Sequence, residues 1–159
     1  MALTRRRSSH QPIGQATCAA GNELPPSVRS KIALVFVHFP LSMHRFATPA
    51  ARAAKCARVE NRFPKLVEAL FNKQDSLGLK TWVSYGIEAG IIDTAAFAQC
   101  AASKANFSPI EAGIALGKRL QVTRTPTVIV NGWRFASPPY DSLAEFVNRV
   151  SNNRPLYGK

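Results

Sequence analysis

Acidic residues and cysteines are scarce in this chain, and long apolar runs are absent. Among 159 residues there are nine Asp and Glu against 21 Lys and Arg, and no two carboxylates form an obvious acid–base pair. The longest apolar run, Ile32 to Phe39, is far shorter than the roughly 20 residues that cross a bilayer. Glycine-rich phosphate loops and a nucleophile elbow are also missing. These absences argue against a membrane span, a phosphate-loop protein and a serine hydrolase.

No export signal is visible near the N-terminus. The run Arg5 to Arg7 is followed by Ser8 to Gln11, where a secretory signal needs an apolar stretch of about 7 or more residues. The first 31 residues are polar and interrupted by glycines and prolines. We therefore expect an irregular arm there in place of a regular first strand, and the cellular location stays open.

The net charge of +12 is the strongest compositional signal. A basic chain can bind nucleic acid, yet apart from Arg5 to Arg7 the cations are scattered, and no helix or loop combines them with stacking aromatics. A diffusely basic, solvated surface is therefore the expectation, and nucleic-acid binding is the weaker alternative. Such a surface favours acidic partners.

The cysteines and histidines have no spacing typical of a metal site. Cys18, Cys56 and Cys100 contain no Cys-x-x-Cys motif, and three cysteines cannot all pair within one chain. His38 lies at the end of the apolar run and His44 lies just beyond it. We expect ordinary packed or capped imidazoles there, and no metal.

Hydrophobic periodicity predicts one central strand followed by a helical block of about 80 residues. Ile32 to Phe39 is apolar on both faces, as expected of a strand covered by helices on each side. Asp93 is a predicted N-cap, and Ser108, followed by a proline and a glutamate, predicts a capping box. The predicted helices cover about 49–60, about 64–73, the segment of Trp82, Tyr85 and Ile87 closed near Gly90, the segment of Phe97 and Cys100, about 108–120, and a last helix from Asp141 or Ser142.

A proline-led hairpin is predicted after the helical block. Pro126 lies between Thr125 and Thr127, directly before an apolar β-branched run, so it belongs at the start of a strand or on a sheet edge. Asn131-Gly132 separates this run from a second one, Trp133 to Phe135, and Asn-Gly favours a type I′ turn. The pattern therefore indicates strand, tight turn and second strand.

Taken together, these segments resemble the DsbA-like branch of the thioredoxin superfamily. The resemblance extends from about Lys31 to Val150 and rests on Val35 to Leu41 with His44, the helix of Ala50 to Ala57, Asn61-Arg62-Phe63 leading to Leu70-Phe71, Phe97 with Cys100, Thr125-Pro126-Thr127 and Asn131-Gly132. It implies an α/β, thioredoxin-like fold with an inserted helical block at about 47–120 and a first strand that is missing or irregular. The domain would cover residues 32–151, between an arm of residues 1–31 and a tail of residues 152–159.

The resemblance also implies roles for individual residues. In this family the bond before the residue matching Pro126 is cis, and Thr125, Pro126 and Thr127 would contact a substrate peptide. Cys18 would be the redox nucleophile, although Gly21 stands where a second thiol is needed and the spacing to the strand is short; the alternative is a free thiol on the arm. Cys56 and Cys100 would form a structural disulfide, or else remain small buried hydrophobes.

The expected function is that of a DsbA-like protein thiol-disulfide oxidoreductase, degenerate or truncated and at most monothiol. Its partners would be protein or peptide thiols and disulfides, with glutathione as an external thiol and no cofactor. Relatives of this branch usually work in the periplasm or otherwise outside the cytoplasm. The alternative is a redox-inactive thioredoxin-fold module that binds peptides without exchange.

Overall fold

The computed structural model describes residue 30, residues 33–136, residue 138 and residues 140–154. Apart from residue 30, the predicted arm, with Cys18, lies outside these residues. Within them the chain forms six α-helices, one short 3-10 helix and a two-stranded antiparallel sheet. The helices are α1 (Ala47–Cys56), α2 (Phe63–Asn72), α3 (Trp82–Glu88), α4 (Thr94–Ala102), α5 (Ser108–Arg119) and α6 (Tyr140–Ser151), with the 3-10 turn at Gln74–Ser76, and the strands are β1 (Thr127–Val130) and β2 (Trp133–Ala136).

Helices α1 to α4 enclose the main apolar core. Alanines on α1 lie fully buried, which lets this helix pack closely against its neighbours because little side-chain volume separates the backbones. Leu66, Val67 and Leu70 on α2 and Tyr85 on α3 fill the space between the helices. The predicted helical block is thus present.

Helix starts were predicted well in one case and wrongly in another. The Asp93 carboxylate accepts a hydrogen bond from the Ala96 backbone N–H at 2.9 Å, as expected of an N-cap. Ser108, predicted to cap α5, instead lies inside its first turn, and Phe107 holds the capping position without a side-chain bond. The reason is packing, because the Phe107 ring is held against the core of the helical block and fixes where the helix can begin.

The predicted central strand is the main correction to the fold. Residues 33–41 form no regular secondary structure and pair with no strand among the residues that the structure describes. The Phe36 ring contacts Phe63 of α2 at 5.2 Å between centroids, and Phe39 lies against Gly117 of α5. Leu34, Val35 and Val37, however, are 60%, 77% and 42% exposed, so the segment is not covered on both faces as predicted. A ladder also needs a neighbouring strand, and none of the described strands pairs with this segment.

The C-terminal hairpin forms as predicted. Val130 pairs with Trp133 across Asn131 and Gly132, whose φ angles of 46° and 86° are those of a type I′ turn. One face of the hairpin packs on α6 through Phe135 and Phe146, whose ring centroids are 4.6 Å apart.

The opposite face of the hairpin meets α5. Arg134 Nη1 donates to the Leu120 carbonyl just after α5 at 2.6 Å.

The described helices include none that is both long and apolar enough to cross a membrane.

Candidate functional site

The segment from Arg124 to Thr127 forms the entrance to β1. The Thr125–Pro126 peptide bond is cis, and the Thr127 hydroxyl donates to the Arg124 carbonyl at 2.7 Å. This local bond ties the first residue of the strand to the loop before it, so the loop has a defined course past Pro126. Thr125, Pro126 and Thr127 are all half-buried.

One edge of β1, called the free edge here, carries main-chain groups that pair with no other described strand. In a hairpin with a two-residue loop the pair that closes the loop exchanges both ladder bonds, and bonded and non-bonded pairs then alternate. Val130 and Val128 therefore bond to β2, while the N–H and C=O groups of Thr127 and Ile129 point away from it. Within the described chain no other backbone group takes up these positions. The Ile129 side chain is also 45% exposed.

The Thr125 hydroxyl is unavailable for direct contact with a partner. Its oxygen is buried and has no hydrogen-bond partner among the described residues. A buried hydroxyl without a partner costs roughly 1 to 3 kcal/mol. A role of Thr125 in recognition would therefore use its main chain, unlike Thr127, whose backbone faces the open edge.

Two of the three cysteines are already joined to each other. Cys56 on α1 and Cys100 on α4 form a disulfide with their Cα atoms 5.9 Å apart, and Cys56 is buried. These sulfurs link two helices of the core and lie on elements different from the Pro126 loop. Cys18 lies outside the described residues.

His38 is a packed residue with a neutral side chain at physiological pH. It is 4% exposed, and its ring lies edge-on to Phe36 and Phe63 at 5.2 and 5.9 Å between centroids. Burial, with a smaller effect of the Arg58 charge, lowers the His38 pKa from 6.5 to about 4. Its Nδ1 has no partner among the described residues. The prediction of an ordinary packed imidazole agrees with this environment.

Metal chemistry finds no support in the described residues, where no three His, Cys, Asp or Glu side chains come together.

What sequence reasoning missed was the free edge, because it depends on which neighbour β1 has. The one usable sequence signal for this edge is the alternation of hydrogen-bonded and non-bonded residue pairs along the hairpin. Once Asn131-Gly132 fixes the turn, Thr127 and Ile129 are the outward positions.

The family model described as Thioredoxin matches residues 27–149, which include the helical block, the Pro126 loop and the hairpin. Among curated proteins the chain finds no match.

Proposed function

Because the chain belongs to the thioredoxin family, we propose that it is a DsbA-like protein that exchanges disulfides with polypeptides bound along the free edge of β1. The observation that carries the proposal is the pair of outward-facing main-chain positions, Thr127 and Ile129, directly after Pro126. An extended peptide can add to such an edge as a further strand, taking its affinity from main-chain hydrogen bonds.

The exchange step would use Cys18 as its only free thiol, since Cys56 and Cys100 are bonded to each other. The Cys18 thiolate attacks one sulfur of a substrate disulfide, the substrate S–S bond breaks, and the second substrate sulfur leaves as a thiolate. A glutathione thiolate then attacks Cys18 and releases the first substrate sulfur. A second glutathione restores the Cys18 thiolate and leaves as oxidised glutathione, so two electrons pass from glutathione to the substrate.

A redox-inactive peptide-binding module is the second candidate. It is favoured by the sequence around Cys18, because Gly21 occupies the position of the resolving thiol and the described thiols are committed to a disulfide. Such a module would keep the β1 edge and lose catalysis.

Turnover separates the two candidates. Reduction of insulin by glutathione should be accelerated by the wild-type protein and not by Cys18→Ser. The Cys18→Ser variant should still bind a peptide, because binding uses the β1 edge. Equal acceleration by both proteins would remove Cys18 from the mechanism, and no acceleration by either, with binding retained, would favour the binding module.

The edge itself is tested by replacing one donor. Among the main-chain hydrogen-bonding groups, Ile129→Pro removes only an N–H that points away from β2, so the hairpin ladder keeps its bonds. Ile129→Ala is the matched control, since it removes the side chain and keeps the N–H. Peptide affinity measured by fluorescence anisotropy should fall about tenfold in the proline variant relative to the alanine variant, for the loss of a main-chain bond. Equal affinities would contradict binding at this edge.

A further inference from the structure

The chain around the β1 edge carries charge of one sign. Between Glu111 and Asp141 there are four basic residues and no acidic residue, although that stretch includes the end of α5, the Pro126 loop and the whole hairpin. We call these four residues the basic rim: Lys118, Arg119, Arg124 and Arg134.

Hydrogen bonds connect the end of α5 to the hairpin, and the basic rim lies on these segments. After α5 the chain reverses, because the Gln121 N–H bonds to the Lys118 carbonyl at 2.9 Å and the Val122 N–H bonds to the Gly117 carbonyl at 2.8 Å. Arg134 reaches the Leu120 carbonyl from β2, and it lies opposite Ile129 in the register. Arg124 directly precedes the Pro126 loop. The four cations therefore lie on β2, on the loop that enters β1, and at the end of the helix that Arg134 bonds to.

The described residues do not neutralise these cations. Lys118, Arg119 and Arg124 are exposed, and none of the four forms an ion pair within the described residues. The positive side chains of Lys118 and Arg119 also interact favourably with the negative C-terminal end of the α5 dipole, and this role accounts for part of their presence. That role does not extend to Arg124, which lies beyond the helix on the loop into β1.

We infer that the polypeptide segments that pair with β1 are acidic ones, with carboxylates beside the residues that form the added strand. This inference rests on the proposed binding at the edge and names its substrate class. Clustered cations raise the local concentration of an oppositely charged partner and speed its association. An acidic strand would gain main-chain bonds from Thr127 and Ile129 and electrostatic attraction from the basic rim.

A polypeptide partner fits this surface better than a nucleic acid does. Ladder groups such as those of Thr127 and Ile129 are the natural complement of another peptide backbone. Single-strand binders instead place aromatic rings in the path of successive bases. Here Trp133 and Phe135 both lie against Phe146 of α6, at 6.3 and 4.6 Å between ring centroids. Trp133 is 46% exposed, so the test below includes a single-stranded DNA.

The test uses two fluorescein-labelled peptides in which valine alternates with glutamate in one and with glutamine in the other. At low salt the wild-type protein should bind the glutamate peptide about tenfold more tightly, a preference that added salt reduces. The double variant Lys118→Ser with Arg124→Ser should reduce this preference to about twofold or less. Lys65→Ser with Lys104→Ser removes two exposed lysines elsewhere, with the same loss of charge, and should keep the preference.

Each other outcome overturns the inference. Equal binding of both peptides that is weakened by Ile129→Pro would leave edge binding intact and remove the acidic preference. Equal loss in the two double variants would assign the preference to net charge alone. An oligothymidylate that binds more tightly than the glutamate peptide and ignores Ile129→Pro would assign the basic rim to nucleic acid. Binding of neither peptide would contradict the proposed function and, with it, the inference.

Discussion

At the scale of the residue, His38 shows how burial sets a charge state. Its imidazole lies between aromatic rings, and its pKa falls to about 4, against 6.5 for a free histidine. In the unfolded chain the same imidazole takes up a proton below about pH 6.5. Folding therefore favours the neutral form. The contribution of His38 to the free energy of unfolding is smallest in acid, where the unfolded chain binds the proton.

The expected pH dependence follows from this difference. The unfolded state binds more protons between pH 6.5 and about 4, so the free energy of unfolding should fall as the pH drops through that window. The contribution of His38 amounts to about 3 kcal/mol across it. Urea titrations at several pH values, compared with His38→Gln, measure the loss. An NMR titration of His38 in the folded protein should have its midpoint near 4; a midpoint near 6.5 would contradict the packing described here.

At the scale of the element, the contact between α5 and the segment of residues 33–41 depends on glycine. A Cβ added at Gly113 would overlap the His38 carbonyl oxygen, and one added at Gly117 would overlap the Phe39 ring. The two glycines therefore let α5 lie directly on the chain of residues 37–39. This close approach covers one face of the segment.

Gly113→Ala should accordingly destabilise the protein, although alanine is the better helix former. The helix gains about 1 kcal/mol from the substitution, but overlap with backbone costs typically 1 to 3 kcal/mol because the carbonyl cannot rotate away. We expect a net loss of about 1 to 2 kcal/mol in urea denaturation. Ala115→Gly at an exposed position of α5 measures the propensity alone. A more stable Gly113→Ala protein would mean that α5 does not lie on this segment.

Elements with local causes could be predicted from the sequence, and elements with distant causes could not. Asp93 caps its helix through a bond three residues away, and Asn131-Gly132 fixes its turn within two residues. By contrast, the strand predicted at Ile32 to Phe39 needed a neighbour that lies elsewhere in the chain. The capping position of α5 went to Phe107 because of tertiary packing. The free edge of β1 was likewise invisible until its neighbours were known.

At the scale of the whole molecule, the disulfide between Cys56 and Cys100 stabilises the helical block. It joins α1 to α4 across a sequence separation of 44 residues. A crosslink of this span restricts the unfolded chain and stabilises the folded one by about 3 to 4 kcal/mol. The block is also where most of the buried apolar residues lie.

Removal of this bond should therefore lower the stability of the entire domain. Cys56→Ala with Cys100→Ala, and the wild-type protein under dithiothreitol, should both unfold at lower urea concentration, by about 3 to 4 kcal/mol. Cys18→Ala is the control, because its thiol is not in that bond, and it should unfold like the wild type. If dithiothreitol leaves the unfolding midpoint unchanged, the two sulfurs are not joined in solution.

The free edge of β1 also bears on how copies of the protein behave towards one another. Unpaired ladder groups accept any extended backbone, including that of an identical molecule. What opposes such contact is the mutual repulsion of like-charged surfaces, which reaches only about 8 Å at physiological ionic strength. Concentrated salt or a multivalent anion screens this repulsion. Dilute buffers should therefore keep the protein monomeric, and added salt should cause association of folded molecules before any unfolding begins.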